Sequence, residues 1–217
     1  MVFEHNFCLP SHPAFVIFKF GKDWKAANSG SDMVKRTVPS FSSWVPPLEG
    51  WVKLNTDGSY KSGNSAIAAG GIFRDFKKNW LGGYALNKGT GCILEAELWG
   101  ICKGLKFGLQ AGYSKTIVET DSLDIVNLLS KDTNHNHPSF SLIQNCKIYL
   151  AADWCCSVTH VYRERNFVAD RLAKLGHSLE LGDSYFEDSP SQILQLVDDD
   201  MQGLVHARHG TLECPAS

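Results

Sequence analysis

No run in this 217-residue chain approaches the roughly 20 consecutive apolar residues that a membrane helix needs; Ala66 to Phe73 is among the longest and falls far short. No membrane partner is therefore expected. The stretch from Phe7 to Phe18 is apolar but broken by Pro10 and Pro13. No basic cluster precedes it, so no secretory signal is expected either. There is no Cys-x-x-Cys pair, and the seven cysteines are odd in number, which argues against a disulfide framework and against a structural zinc site. A reducing, intracellular setting follows as an expectation, nucleus or cytoplasm; Lys35-Arg36 is too short a basic pair to choose between them. The sequence has no internal repeat and little net charge, -2 at neutral pH.

What is present is the composition of one globular domain with tails: 43% hydrophobic and 20% charged residues, enough to bury a core of ordinary size. The charge is unevenly placed. Residues 50–180 carry 15 Lys/Arg against 12 Asp/Glu, residues 1–49 carry 5 against 4, and residues 181–217 carry 1 against 7. The middle segment is thus mildly basic and becomes more so if some of its acids are neutralised by metal, as a phosphate-binding surface requires. Residues 1–49 read as an N-terminal extension and linker, largely irregular, because Ala26 to Pro47 is rich in Ser, Gly and Pro. Residues 181–217 read as an acidic, mostly mobile tail that could fold back over a basic groove, with a short helix at Ser191 to Leu196.

Within residues 50–180 the hydrophobic pattern predicts three strands, a helix, a strand, one or two helices, a strand and a last helix. Trp51 to Thr56, Ala66 to Arg74 and Trp80 to Leu86 form the initial meander. Leu94, Leu98, Ile101, Leu105 and Leu109 recur at helical spacing up to Gly112. Thr116 to Glu119 is a short strand, and Ser122 caps a helix to Leu129. Another helix follows from Pro138 to about Ala152. Ser157 to Tyr162 is the last strand, and Phe167 to Leu179 the last helix. The fold class is α/β, a five-stranded mixed sheet of three antiparallel strands followed by two parallel ones, flanked by helices.

Four acids stand out against that framework: Asp57 in Asn55-Thr56-Asp57-Gly58-Ser59, Glu97 in Glu95-Ala96-Glu97-Leu98, Asp121 in Glu119-Thr120-Asp121-Ser122, and Asp170 in Asn166-Phe167-Val168-Ala169-Asp170. Each has an ordinary reading by itself. Asp57 could begin an Asp-Gly turn, Glu97 and Asp170 could serve helix dipoles, and Asp121 could be part of a helix cap. Glu95 competes with Glu97. If the four meet, however, their mutual repulsion and desolvation call for cations, Mg²⁺ being the expected one.

Their order and context resemble ribonuclease H, most closely the ribonuclease H domains of plant non-LTR retroelements and their domesticated, retrotransposon-derived relatives. The phrases that carry the likeness are Trp51-Val52-Lys53-Leu54-Asn55-Thr56-Asp57-Gly58-Ser59, Ala69-Gly70-Gly71-Ile72-Phe73-Arg74-Asp75, Leu94-Glu95-Ala96-Glu97-Leu98-Trp99 and His160-Val161-Tyr162-Arg163-Glu164, spread over residues 50–180. The resemblance implies a ribonuclease H-like domain that hydrolyses the RNA strand of RNA/DNA hybrids with two Mg²⁺ ions, Mn²⁺ being able to serve as well. It implies Asp57, Glu97, Asp121 and Asp170 as catalytic residues and metal ligands, and Gly58, Ser59 and Asn64 as substrate contacts. In relatives such a domain is fused to or associated with a reverse transcriptase.

Two departures bear on substrate affinity. Cys92-Ile93-Leu94 replaces a Thr-Asn-Asn run that many members carry before the glutamate, and Asp132-Thr133-Asn134-His135-Asn136-His137 stands where some bacterial enzymes have a basic handle. They favour the alternative, a catalytically weak or inactive nucleic-acid-binding module. His160 falls inside a predicted strand and reads as structural rather than as a proton shuttle. His135 and His137 are a poor basis for a metal site.

Overall fold

β1 (Val52–Lys61) is one of the two central strands of the sheet, and Lys53 to Asp57 are buried without a break because both faces of the strand are covered. The computed structural model describes residues 43–204. The first 42 residues, most of the expected N-terminal extension, lie outside the described residues, as do positions 205–217. Residues 43–48 have no regular secondary structure, and Trp44 among them is buried.

The elements that follow β1 are β2 (Ala66–Arg74), β3 (Trp80–Thr90), α1 (Ile93–Gln110), β4 (Lys115–Thr120), α2 (Leu123–Ser130), α3 (Phe140–Leu150), β5 (Cys155–His160), α4 (Phe167–Gly176), β6 (Gly182–Phe186) and α5 (Leu194–Gln202). The strands are ordered β5-β4-β1-β2-β3-β6. β1, β2, β3 and β6 pair antiparallel in succession, whereas β4 pairs parallel with both β1 and β5. β1 runs longer than its alternating stretch suggests, so Asp57 sits inside the strand, opposite Gly70, rather than at a turn.

β2 is almost wholly buried because helices cover both faces of the sheet. Leu54, Phe73, Tyr84 and Leu86 pack with Leu98, Ile101 and Leu105 of α1 and with Ile143 and Cys146 of α3 on one side. Ile72 packs with Val168 and Leu172 of α4 and with Ile193 and Val197 on the other. α1 comes unusually close because its inner stripe is glycine: a Cβ at Gly100 would lie 2.5 Å from Thr56 Oγ1, and one at Gly104 2.5 Å from Leu54 Cδ2. The five cysteines among the described residues are free thiols.

The region after residue 180 differs from its reading as a mobile tail, and the sheet has six strands instead of five. β6 adds to the edge of β3, and Asp183 on it pairs with Lys88 and, at 2.6 Å, with Lys103. Those lysines, with Arg74 below, take up acids that the charge count assigned to a free tail. α5 runs from Leu194 to Gln202, later than the expected Ser191 to Leu196. Its inward stripe is Ile193, Val197 and Asp200, at helical spacing. Asp200 breaks the apolar period because it faces a buried cation: Arg74 Nη1 donates to Asp200 Oδ2 at 2.6 Å. Trp44 lies over the same guanidinium, 3.6 Å from ring centroid to Cζ. Reading Asp198-Asp199-Asp200 as solvated hides this helix.

Ending the chain at Glu180 should remove Ile193 and Val197 from the core and strand Arg74. The expected loss is at least about 3 kcal/mol of unfolding free energy, two aliphatic side chains at roughly 1.5 kcal/mol each, measured by urea denaturation. An unchanged urea midpoint would contradict a packed tail.

Candidate active site

The acids meet because each is delivered by a different local device. β4 pairs with β1 only as far as Asn55 opposite Glu119. Beyond that point β1 continues without a β4 partner and carries Asp57, only 4% exposed, into the gap. The chain leaves β4 after Thr120 and turns into α2, and this turn holds Asp121, with Ser122 Oγ accepting the Ile125 N–H to cap the helix. Glu97 arrives from α1. Its competitor Glu95 is used otherwise, its Oε2 accepting the Cys92 N–H at 2.9 Å in a capping arrangement.

Gly58 lets α1 approach. A Cβ there would lie 2.5 Å from Glu97 N, so no other residue fits without moving the helix. The Gly58 N–H donates to Glu97 Oε2 at 3.1 Å and points the carboxylate at β1. One oxygen from each of Asp57, Glu97 and Asp121 lies within 4.8 Å of the others. Asp170, in the first turn of α4, is not part of that tight triple but faces it closely enough to act on the Asp57 charge. It is held by Lys174 Nζ at 2.6 Å and more loosely by Arg163 Nη2 at 3.4 Å.

Electrostatics follow from crowding. Burial, then Glu97, Asp121 and Asp170, push the Asp57 carboxyl well above the usual carboxylate range. Burial and then Asp121 push Glu97 up to about 8, partly offset by the Gly58 N–H and Arg163. Burial opposes the charge on Arg163, yet Asp121, Asp170 and Asp57 outweigh it and raise its pKa. Arg163 also lies 3.8 Å from Asp121 Oδ2, with more than half its side chain open to solvent. Four acids thus face two contacting cations, Arg163 and Lys174. Hard oxygen donors, poorly neutralised and two of them driven toward protonation, suit a divalent cation such as Mg²⁺ or Mn²⁺.

The other residues singled out in the sequence lie apart from this cluster. Ser59 Oγ is 3.0 Å from His177 Nε2. Asn64 is exposed in the β1–β2 turn, where its Oδ1 accepts the Ala66 N–H at 3.1 Å. His160 ends β5 and packs against Tyr162, while Arg163, three residues on, reaches the acids. His135 packs at a tilt against Phe140, and His137 Nδ1 accepts the Ser139 N–H, so both serve their loop. Sequence reading missed the buried support: Asn55, Glu119 and Asn166, linked by Asn55 Nδ2 donating to Glu119 Oε2 at 2.8 Å and to Asn166 Oδ1 at 3.3 Å. The available signal was Asn55 two residues before Asp57 in the same strand, hence on the same face.

A family model described as "Reverse transcriptase-like" matches residues 55–176, more than half of the chain and all four acids. The chain belongs to that family, with a ribonuclease H fold. An Arabidopsis thaliana protein whose name marks it provisionally as a ribonuclease H protein is 37% identical over 197 residues, covering 88% of this chain and 32% of that protein. The chain therefore spans about a third of the length of that relative. Among solved structures, ribonuclease H1 of the archaeon Halobacterium salinarum superposes with a TM-score of 0.55 at 20% identity, covering 59% of this chain and 98% of that one. An N-terminal ribonuclease H domain from Mycobacterium tuberculosis, solved as a maltose-binding-protein fusion, gives 0.55 at 22%, covering 59% and 94%. At such identities the structures establish the shared fold of this ribonuclease H-type chain.

In the metal-free chain, folded Glu97 keeps its proton up to about 8, against an ordinary value of 4.5. Its folded pKa is the higher one, so its contribution to stability is complete below about 4.5 and is lost as pH rises toward 8; Asp57 shifts in the same direction. Urea denaturation in chelator should show stability falling from about pH 5 to pH 8. Glu97→Gln should be the more stable protein at pH 8, by about 1.4 kcal/mol or more, the worth of one pKa unit. A flat profile, or no gain in Glu97→Gln, would contradict this electrostatic account.

Proposed function

We propose that this chain is a divalent-cation-dependent endonuclease that hydrolyses the RNA strand of RNA/DNA hybrids. The observation that carries the reading is the convergence of Asp57, Glu97 and Asp121 within 4.8 Å, with Asp170 facing them, in a ribonuclease H-type chain. Asp57 and Asp170 would hold one cation, and Asp57, Glu97 and Asp121 a second. Bound there, two such ions supply an activated water and stabilisation of the departing 3′ oxygen.

The chain's own groups do the rest. Gly58 holds Glu97 oriented through its N–H, so the carboxylate need not be reorganised when the site fills. Lys174 fixes one oxygen of Asp170 across a single helical turn. Arg163 contacts Asp121 and Asp170 only loosely and is largely open to solvent, so its guanidinium can turn to a phosphate oxygen once those acids are otherwise neutralised. Ser59 lies two residues beyond Asp57 on the same face of β1, and its hydroxyl, 3.0 Å from His177 Nε2, would contact the strand being cut further along the groove. Asn64 at the turn beyond would reach the backbone of the same strand. RNA would be distinguished through 2′-hydroxyls across a wide, shallow minor groove, with little reading of sequence.

Substrate grip is the weaker half of the design. Cys92 is exposed and Ile93 is 52% exposed at the start of α1, where neither offers a strong side-chain donor to a DNA strand. That surface favours the second reading, a module that binds hybrids but turns them over poorly.

Incubating a labelled RNA/DNA hybrid with the protein and Mg²⁺ or Mn²⁺ separates the two. Cutting of the hybrid but not of RNA/RNA or DNA/DNA duplexes is expected, with Asp121→Asn slower by at least about a hundredfold. Hybrid binding without any cutting by the wild type would move the assignment to the binding module.

A further inference from the structure

A line of buried polar groups runs from α5 to the acids, and its donors and acceptors fit in one direction. Asp200 Oδ2 accepts from Arg74 Nη1 at 2.6 Å, and Arg74 Nη2 donates to Asn55 Oδ1 at 2.8 Å. With its oxygen engaged, Asn55 presents Nδ2, which donates to Glu119 Oε2 and to Asn166 Oδ1. Asn166 then has its own Nδ2 to give, and it donates to the Thr56 carbonyl at 3.0 Å, one residue before Asp57. The Asn166 carbonyl in turn accepts the Asp170 N–H at 3.0 Å. Each amide is oriented by the group before it.

The outer end of this line lies beyond the part of the chain that matches the family. Trp44, which covers the guanidinium, and Asp200, which pairs with it, both fall outside residues 55–176. Anchoring a helix does not require such an arrangement: a buried ion pair replaced by well-packed apolar residues often leaves a protein as stable as before. Here the pair is 1% and 3% exposed, and its hydrogen bonds lead to the two segments that carry acids.

We propose that Trp44, Arg74 and Asp200 are positioning residues, which act through Asn55 and Asn166 to fix the first turn of α4, and with it Asp170, against Asp57. The proposal rests on the reading of the four acids as a cation site. It assigns the segment around α5 a role in the site and not only in the core.

The test compares the full chain with its Arg74→Met/Asp200→Leu double variant, which removes both charges together and cuts the link to Asn55. Three properties are read: hydrogen exchange of the Asp170 amide by NMR, Mn²⁺ affinity without substrate, and kcat and KM on a hybrid. The expected result is a melting temperature near that of the wild type, with Asp170 protection and Mn²⁺ affinity each lower by about tenfold, the usual size of effect for a group that orients a metal ligand. Amides of β2 and β3 should keep their protection, and kcat should fall while KM holds. If the double variant does not fold, Trp44→Leu, which uncovers the guanidinium and leaves its hydrogen bonds, should shift the same properties in the same direction by roughly twofold to threefold. Unchanged Asp170 protection in a folded variant, or lowered protection with unchanged Mn²⁺ affinity, overturns the proposal. A wild-type protein that binds no Mn²⁺ would instead defeat the cation-site reading, and Asp170 exchange would then decide the positioning role by itself.

Discussion

Repulsion among buried carboxylates is the constraint on which the rest of this structure turns. Asp57, Glu97 and Asp121 cannot all be ionised side by side at 4–15% exposure unless positive charge joins them. The chain's own groups meet the conflict in two ways: Asp57 and Glu97 shift toward their protonated forms, and Arg163 and Lys174 lean on Asp121 and Asp170. Neither arrangement satisfies all four acids. A fold that brings them together nonetheless must hold them by other means, and it does so with backbone proximity and buried amides. Gly58 admits the α1 backbone, the glycine stripe of α1 brings that helix onto the sheet, and Asn166 ties the start of α4 to the Thr56 carbonyl. These are rigid supports, suited to ligands that must remain close while repelling one another.

The sheet's connectivity explains why the four come from distant parts of the sequence. β1 lies between a parallel neighbour and an antiparallel one, and the change of direction leaves the far half of β1 open on the β4 side. That opening receives Asp121 from the end of β4, while α1 and α4 reach it from opposite faces. Ligands collect at such points in α/β sheets because strand ends and helix starts converge there.

Much of this was legible in the sequence. The meander, the long α1, and the strand-to-helix turn at Asp121 follow from periodicity and caps, and the four acids stood out by context. Glu95 and Glu97 could not be separated by spacing; what separates them is that Glu95 closes the helix cap, a choice of hydrogen bond rather than of pattern. The buried relay was hidden for a related reason. Arg74, Asn55 and Asp200 are polar residues at core positions, and a polar residue in an apolar strand announces itself only when its partner is known. Asp200 lies 126 residues from Arg74. α5 was obscured by the same residue, since its inward stripe ends in an acid within an acidic run, and β6 is a five-residue edge strand too short for alternation to be convincing.

The most direct test of the account is calorimetric titration of the metal-free protein with Mg²⁺ or Mn²⁺ near pH 7, repeated in buffers of different ionisation enthalpy. With Glu97 near 8 and Asp57 raised as well, binding should displace bound protons. The expected result is saturable binding that releases about one proton or more per protein, reduced in Glu97→Gln. Binding without proton release, or no binding at all, would contradict the claim that these buried acids are a cation site.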